Sequence, residues 1–224
     1  EDGLLGESAR GAVASGSAMP RSLSALTWSA VGRCDGPALA RHNVFFSRDY
    51  PAEFTDILER GRVPADPTVY VCAQDRDENG SQATGEERMF VLVNAPATDM
   101  GGSYSDQEMR RCEKAMAATL AGCGLKLTMD SRTITLPDDF ARRFPGSRGA
   151  LYGMASHGWR ASFRRPGVRS LIPRLYVAGG SAHPGPGVPM AALSGKMAAE
   201  CLLSDLASTG LSRRTATRGG TSTH

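Results

Sequence analysis

The chain has 224 residues, 41% of them hydrophobic and 22% charged, and a formal net charge of +3. That length allows one large domain or two small ones with an ordinary core. Its basic residues are dispersed except for Arg213, Arg214 and Arg218, which excludes the continuous stripe a nucleic-acid backbone requires.

Residues 1–22 are rich in Gly, Ala and Ser without periodicity and read as a poorly structured segment. Residues 23–33 and 42–47 flank the polar Cys34-Asp35-Gly36-Pro37 turn, so two strands are expected, paired as antiparallel neighbours. Pro51 sits at a first helical position, and Phe54, Ile57 and Leu58 give a short helix one apolar stripe that ends at Gly61. Two β-rich runs, 68–73 and 89–94, bracket the polar segment 74–87 with its Asn79-Gly80, as in a hairpin with a long loop.

Ser105 and Glu108 have capping-box spacing, and Met109, Cys112, Met116, Leu120 and Cys123 recur at helical intervals up to Gly124. Both cysteines are therefore expected on the apolar face of a helix. Residues 132–136 read as a short strand, and Pro137 with Asp138 and Asp139 opens a short helix. A last strand is expected over 174–178, then a glycine-rich turn and a helix from about Val188 to Ala207. Residues 208–224 lack an apolar face and read as a disordered tail. The sum is an α/β chain of mixed α+β content, a mixed sheet with helices.

Five cysteines at 34, 72, 112, 123 and 201 show neither C-x-x-C spacing nor a Cys/His ligand pattern, so no metal is expected and a reduced, cytoplasmic setting fits. No run approaches the roughly 18 apolar residues of a membrane-spanning helix.

Chemistry concentrates in residues 175–190, LYVAGGSAHPGPGVPM. Small residues at Gly179 and Gly180 let a bulky group approach the backbone, while Gly185 and Gly187 among prolines make a stiff turn that exposes amides. The following helix opens with peptide hydrogens that have no intrahelical partner, which suits an anionic or strongly polarised group. Gly179-Gly180-Ser181-Ala182-His183 comes close to the G-x-S-x-G of a serine hydrolase. Its last residue is wrong, and a His-Pro-Gly-Pro-Gly connector separates the serine from the helix. His183, held between Ala182 and Pro184, reads as structural rather than as a base, and no catalytic residue is singled out.

Gly179, His183, Pro184, Gly185, Gly187 and Pro189 match a turn of the form G-x-x-x-H-P-G-x-G-x-P, and further matches lie in residues 41–47, 67–72, 91–96 and 149–153. On these motifs the chain resembles the carotenoid and phytoene desaturase family of FAD-dependent oxidoreductases. Within it, the chain looks most like the hydroxycarotenoid 3,4-desaturases, the methoxyneurosporene dehydrogenases of phototrophic bacteria. The resemblance covers about residues 23–206. It implies FAD as cofactor and a carotenoid as substrate, desaturated at C3–C4 of a 1-hydroxy- or methoxycarotenoid.

It further implies that Gly179, Gly180, Ser181, His183, Gly185, Gly187, Val188, Pro189 and Met190 face the flavin. Residues 23–172 become a substrate-binding α+β part, and residues 173–207 the closing strand, turn and helix of a flavoprotein fold. An apolar substrate implies a tunnel, with Phe45, Phe46, Tyr152, Met154, Trp159 and Met190 as candidate walls. It also implies peripheral docking on a membrane, for which Arg160, Arg164, Arg165 and Arg169 around Trp159 and Phe163 are the expected patch. The G-x-G-x-x-G unit that holds the ADP half of FAD is not found here. The chain is therefore expected to be the C-terminal part of a longer enzyme, inactive without its nucleotide-binding half. The alternative is a non-catalytic remnant or interaction module of the same fold.

Overall fold

A computed structural model describes residues 5–9, 11–13, 21–77, 85–100, 104–155 and 165–215, with side chains as far as residue 208. The chain divides into two compact units, Arg21–Leu151 on one hand and Glu1–Pro20 with Tyr152–His224 on the other.

The first unit is built on one five-stranded sheet of β1 (Ser24–Asp35), β2 (His42–Phe45), β3 (Val69–Ala73), β4 (Glu87–Ala95) and β5 (Lys126–Thr135), in the order β2-β3-β4-β1-β5. Every pairing is antiparallel, which corrects the expected mixed sheet. The helical connection between β2 and β3 returns the chain antiparallel, so it is not the crossover that parallel pairing needs. The expected pairing of the first two strands is also wrong, because β1 lies between β4 and β5 while β2 pairs with β3 at the edge. With 12 residues, its first five all buried, β1 needs a long partner on each side. Four-residue β2 can serve only as an edge.

The hairpin of β3 and β4 forms as expected, with Val69 opposite Val93 and Val71 opposite Val91. Its alternation turns Val69, Val71, Val91 and Val93 to one face, where Leu26 and Trp28 of β1 join them in the core. Helix α2 (Asp106–Gly122) covers that face with Cys112, Met116 and Leu120, spaced four apart on one stripe. Its capping box is realised: the Glu108 amide donates to Ser105 Oγ, and the Ser105 amide donates back to Glu108 Oε2. Cys123, expected on the apolar face, is instead the exposed C-cap, because the helix ends at Gly122 and Gly124 turns the chain at φ +77°. Burial pushes the Cys112 thiol up to about 12.

Strand β5 starts at Lys126, six residues before the expected strand at 132. As an edge strand it carries Lys126, Asp130 and Arg132, and charge at an edge blunts the apolar pattern by which strands are read. It closes on β1 across a bulge at Val31 and Gly32, where a Cβ on Gly32 would lie 1.9 Å from the Thr128 carbonyl oxygen. The Trp28 indole donates to Glu113 of α2 at 3.1 Å, and Arg132 pairs with the same carboxylate at 3.0 Å, tying three elements together.

Two short helices complete the unit, α1 (Tyr50–Leu58) and α3 (Pro137–Arg143), each opening beside the proline expected of it. Glu53 of α1 is buried, yet its carboxylate accepts from Ser47 Oγ, the Thr68 amide and Asn94 Nδ2, which anchors the helix to β3 and β4. Arg76 and Glu87 form a buried bidentate pair at 2.7 and 2.5 Å.

In the second unit the strand expected over 174–178 is absent. Arg174 lies at φ 69°, and the Leu175 amide donates back to Ile172, so the segment turns where a strand would extend. Tyr176 keeps an isolated bridge to Arg169, and the Val177 amide donates to Val168 at 2.8 Å. Helix α4 (Val188–Thr215) starts where expected but runs beyond residue 207, which corrects the disordered tail for residues 208–215. Adding residues to a formed helix costs far less than nucleating one. Residues 216–224 lie outside the described residues.

Candidate functional site

The nine residues expected at the cofactor fall within one turn and the opening of α4. Gly179, Gly185 and Gly187 have φ of +123°, +140° and +103°, conformations that side chains disfavour. Among the described residues, a Cβ on Gly179 or Gly187 would meet nothing within 4 Å, and one on Gly180 would find only Pro186 Cα at 3.6 Å. Open space therefore lies before the backbone at these positions. A bulky planar or anionic group can approach there, so the residues present fit a flavin.

The other members differ in exposure. Ser181 is exposed, and its Oγ would stand 2.8 Å from a Cβ on Gly153, so a glycine is needed beside it. His183 is half-buried, its amide donating to the Pro166 carbonyl at 2.8 Å. Val188 is 85% exposed, with Pro189 and Met190 beside it at the open end of α4. The Ala191 amide donates to the Gly187 carbonyl at 2.9 Å, which leaves the first-turn amides of Val188 and Met190 as helix-end donors. Pro189 has no N–H to offer.

Sequence reasoning missed the side chains that hold this turn. Ser194 of α4 is fully buried, and its Oγ accepts from the Gly179 amide at 2.7 Å and donates to the Ala191 carbonyl at 2.7 Å. A lone serine in an Ala-rich helix gives no sign of that partnership. Arg165, expected in a membrane patch, is buried: its guanidinium donates to the carbonyls of Gly180 at 3.0 Å, Tyr152 at 3.1 Å and Met154 at 3.0 Å. Desolvation draws its pKa down from the ordinary arginine value. Arg169, the other patch member described, pairs with Asp205 at 2.5 Å, and the Tyr176 hydroxyl donates to the same carboxylate at 2.6 Å. His157, Trp159, Arg160, Phe163 and Arg164 lie outside the described residues.

Among the tunnel candidates, Phe45 packs against the core. Phe46, Tyr152 and Met190 are exposed, and Met154 is half-buried. The serine-hydrolase alternative loses its geometry, because a nucleophile elbow runs straight into its helix whereas α4 begins only at Val188. Among the described residues no group of three His, Cys, Asp or Glu is placed to hold a metal ion, and no helix is long and apolar enough to cross a membrane.

The sheet face away from α2 carries Val44, Tyr70, Cys72, Phe90 and Leu92, all exposed or half-buried and brought side by side by the strand register. At its β2 edge the His42 ring and the Tyr70 hydroxyl are hydrogen-bonded at 2.7 Å.

No protein-family model matches the chain. It is 48% identical over 223 residues to the hydroxyneurosporene desaturase of Rubrivivax gelatinosus, an alignment covering 99% of this chain and 42% of that protein. It is 43% identical over 210 residues to the hydroxyneurosporene desaturase of Cereibacter sphaeroides, covering 92% of the chain and 41% of the relative. A 1-hydroxycarotenoid 3,4-desaturase of Flavobacterium is 32% identical over 170 residues, 74% of the chain and 34% of the relative. The chain thus spans about two fifths of the length of the first two curated relatives. Identity at that level, sustained along nearly the whole chain, makes it similar to part of each of these carotenoid desaturases.

Proposed function

We propose that the chain is the C-terminal part of an FAD-dependent carotenoid desaturase, one that introduces a double bond at C3–C4 of a 1-hydroxy- or methoxycarotenoid. The observation that carries this reading is the 48% identity to a hydroxyneurosporene desaturase across 99% of the chain. Residues 179–190 would hold the flavin, Gly179 and Gly187 by leaving room before the backbone, and Val188 and Met190 by donating amides. FAD supplies the electron acceptor that desaturation requires and that amino-acid side chains lack. The chain's own part is to present oriented, fixed donors, which cost no reorganisation when charge develops opposite them.

The exposed and half-buried sheet face of Val44, Tyr70, Phe90 and Leu92 suits the apolar polyene, since aromatic and aliphatic side chains exclude water along its length. Membrane contact is peripheral in this reading and follows from the substrate's residence in the bilayer. The ADP half of FAD would be held by the nucleotide-binding part of the longer enzyme.

The test is to purify the full-length protein that carries this chain and supply a 1-hydroxycarotenoid. A bound flavin spectrum and a red-shifted carotenoid product with one more conjugated double bond are expected. Flavin-free protein that leaves the carotenoid unchanged would overturn the proposal. A second reading, a non-catalytic module of the same fold, draws on the two-fifths coverage. Both readings expect the chain alone to bind FAD poorly. They part on the full-length protein, where turnover rules out the module.

A further inference from the structure

We propose that Arg165 is the positioning residue of the flavin turn, its guanidinium setting the backbone of residues 179–187 before the cofactor arrives. The inference rests on the FAD reading above. One planar side chain bonds two segments far apart in sequence: Nη1 donates to the Gly180 carbonyl at 3.0 Å, and Nη2 donates to the carbonyls of Tyr152 and Met154 at 3.1 and 3.0 Å. The side chain also backs the turn, since a Cβ on Gly185 would lie 3.4 Å from Arg165 Nε and 3.6 Å from its Cδ. Among the described residues no ladder of β pairing secures these segments, whose strand-like contact is the bridge between Arg169 and Tyr176. Side chains therefore share the ordering of this backbone with isolated main-chain hydrogen bonds, such as those from Val177 to Val168 and from His183 to Pro166.

Arginine suits the task in a way lysine does not. Its donors are held in a rigid fork that reaches several carbonyls at once, whereas an ammonium directs three hydrogens from one atom. At 6% exposure the charge is also poorly screened. Orienting Gly180 affects the room before Gly179, and the fixed positive charge beneath the turn favours the more negative, reduced state of a cofactor bound over it.

The full-length enzyme is compared with its Arg165→Lys and Arg165→Met variants by FAD titration, by flavin midpoint potential and by urea unfolding of the apoprotein. Both variants are expected to bind FAD roughly tenfold more weakly, the equivalent of one charge-assisted hydrogen bond. Arg165→Met is expected to lower the midpoint potential, and Arg165→Lys, which keeps the charge, to retain it with an unchanged urea midpoint. Wild-type affinity and potential in both variants overturn this inference and leave the FAD reading standing. Failure of even Arg165→Lys to fold also overturns it, because Arg165 would then be a folding residue only. A wild-type enzyme that holds no FAD overturns both readings.

Discussion

In the unit Arg21–Leu151 the side chains of Leu26, Trp28, Val71, Val91 and Leu120 are withdrawn from water, whereas along α4 Val188, Leu193, Leu202, Leu203 and Leu206 are 42–85% exposed. Apolar burial holds the sheet unit together. Specific side-chain hydrogen bonds hold the turn and helix: Ser194 to the Gly179 amide, Arg165 to the Gly180 carbonyl, and Tyr176 with Arg169 to the Asp205 carboxylate. The exposed apolar residues of α4 alternate with charged ones, Lys196 pairing with Glu200 and Asp205 with Arg169. The contrast also suits the proposed division of labour, since a turn fixed by specific hydrogen bonds can leave open space at its surface that a packed core cannot.

The sharpest test of the contrast is Trp28→Ala, which empties the centre of the sheet core and removes the bond to Glu113. A loss of about 3–5 kcal/mol in urea unfolding is expected, with faster amide exchange through β1, β4 and α2. A loss below about 1 kcal/mol would mean that burial does not hold the sheet unit. Glu87→Gln leaves the buried Arg76 charge without its carboxylate, and a loss of about 3 kcal/mol is expected in the same assay.

Effects in the turn unit are smaller. Ser194→Ala removes the acceptor of the Gly179 amide, so about 1 kcal/mol of local protection is expected to vanish from that amide in hydrogen exchange. The hydrogen bond from Arg169, and then that from Tyr176, hold the Asp205 carboxyl below the usual carboxylate range. A depressed folded-state pKa gives a contribution that is complete above the unfolded value of about 3.9 and is lost as pH falls through the lower folded one. The contacts of Asp205 are therefore expected to persist from pH 7 to 5 and to release only in stronger acid, as read from the chemical shift of its carboxyl carbon. Last, Leu203→Gln on the exposed side of α4 is expected to change stability by less than about 0.5 kcal/mol, and a larger loss would show that α4 has a covered face.

What was legible in the sequence was local. Ser105 and Glu108 announced α2 because a capping box closes within four residues, and the valine-rich alternation of β3 and β4 announced a hairpin because the side-chain period is intrinsic to a strand. The prolines at 51 and 137 marked helix starts by their fixed φ. Even the start of α4 at Val188 could be read from the glycines and prolines ahead of it. The motif around His183 carried the family resemblance, and the similarity to hydroxyneurosporene desaturases agrees with it.

By itself, then, the chain's residue order determined element identity and most boundaries and carried the family resemblance, since each depends on neighbours a few positions away. Tertiary structure alone decided that β1 is central, that β5 is a full strand in spite of its charges, and that residues 174–178 bend back. It decided too that Arg165 lies inside the molecule and Cys123 outside it. Those outcomes turn on which distant carbonyl or strand a residue meets, and no local pattern encodes a partner that only the folded backbone brings within reach of a hydrogen bond.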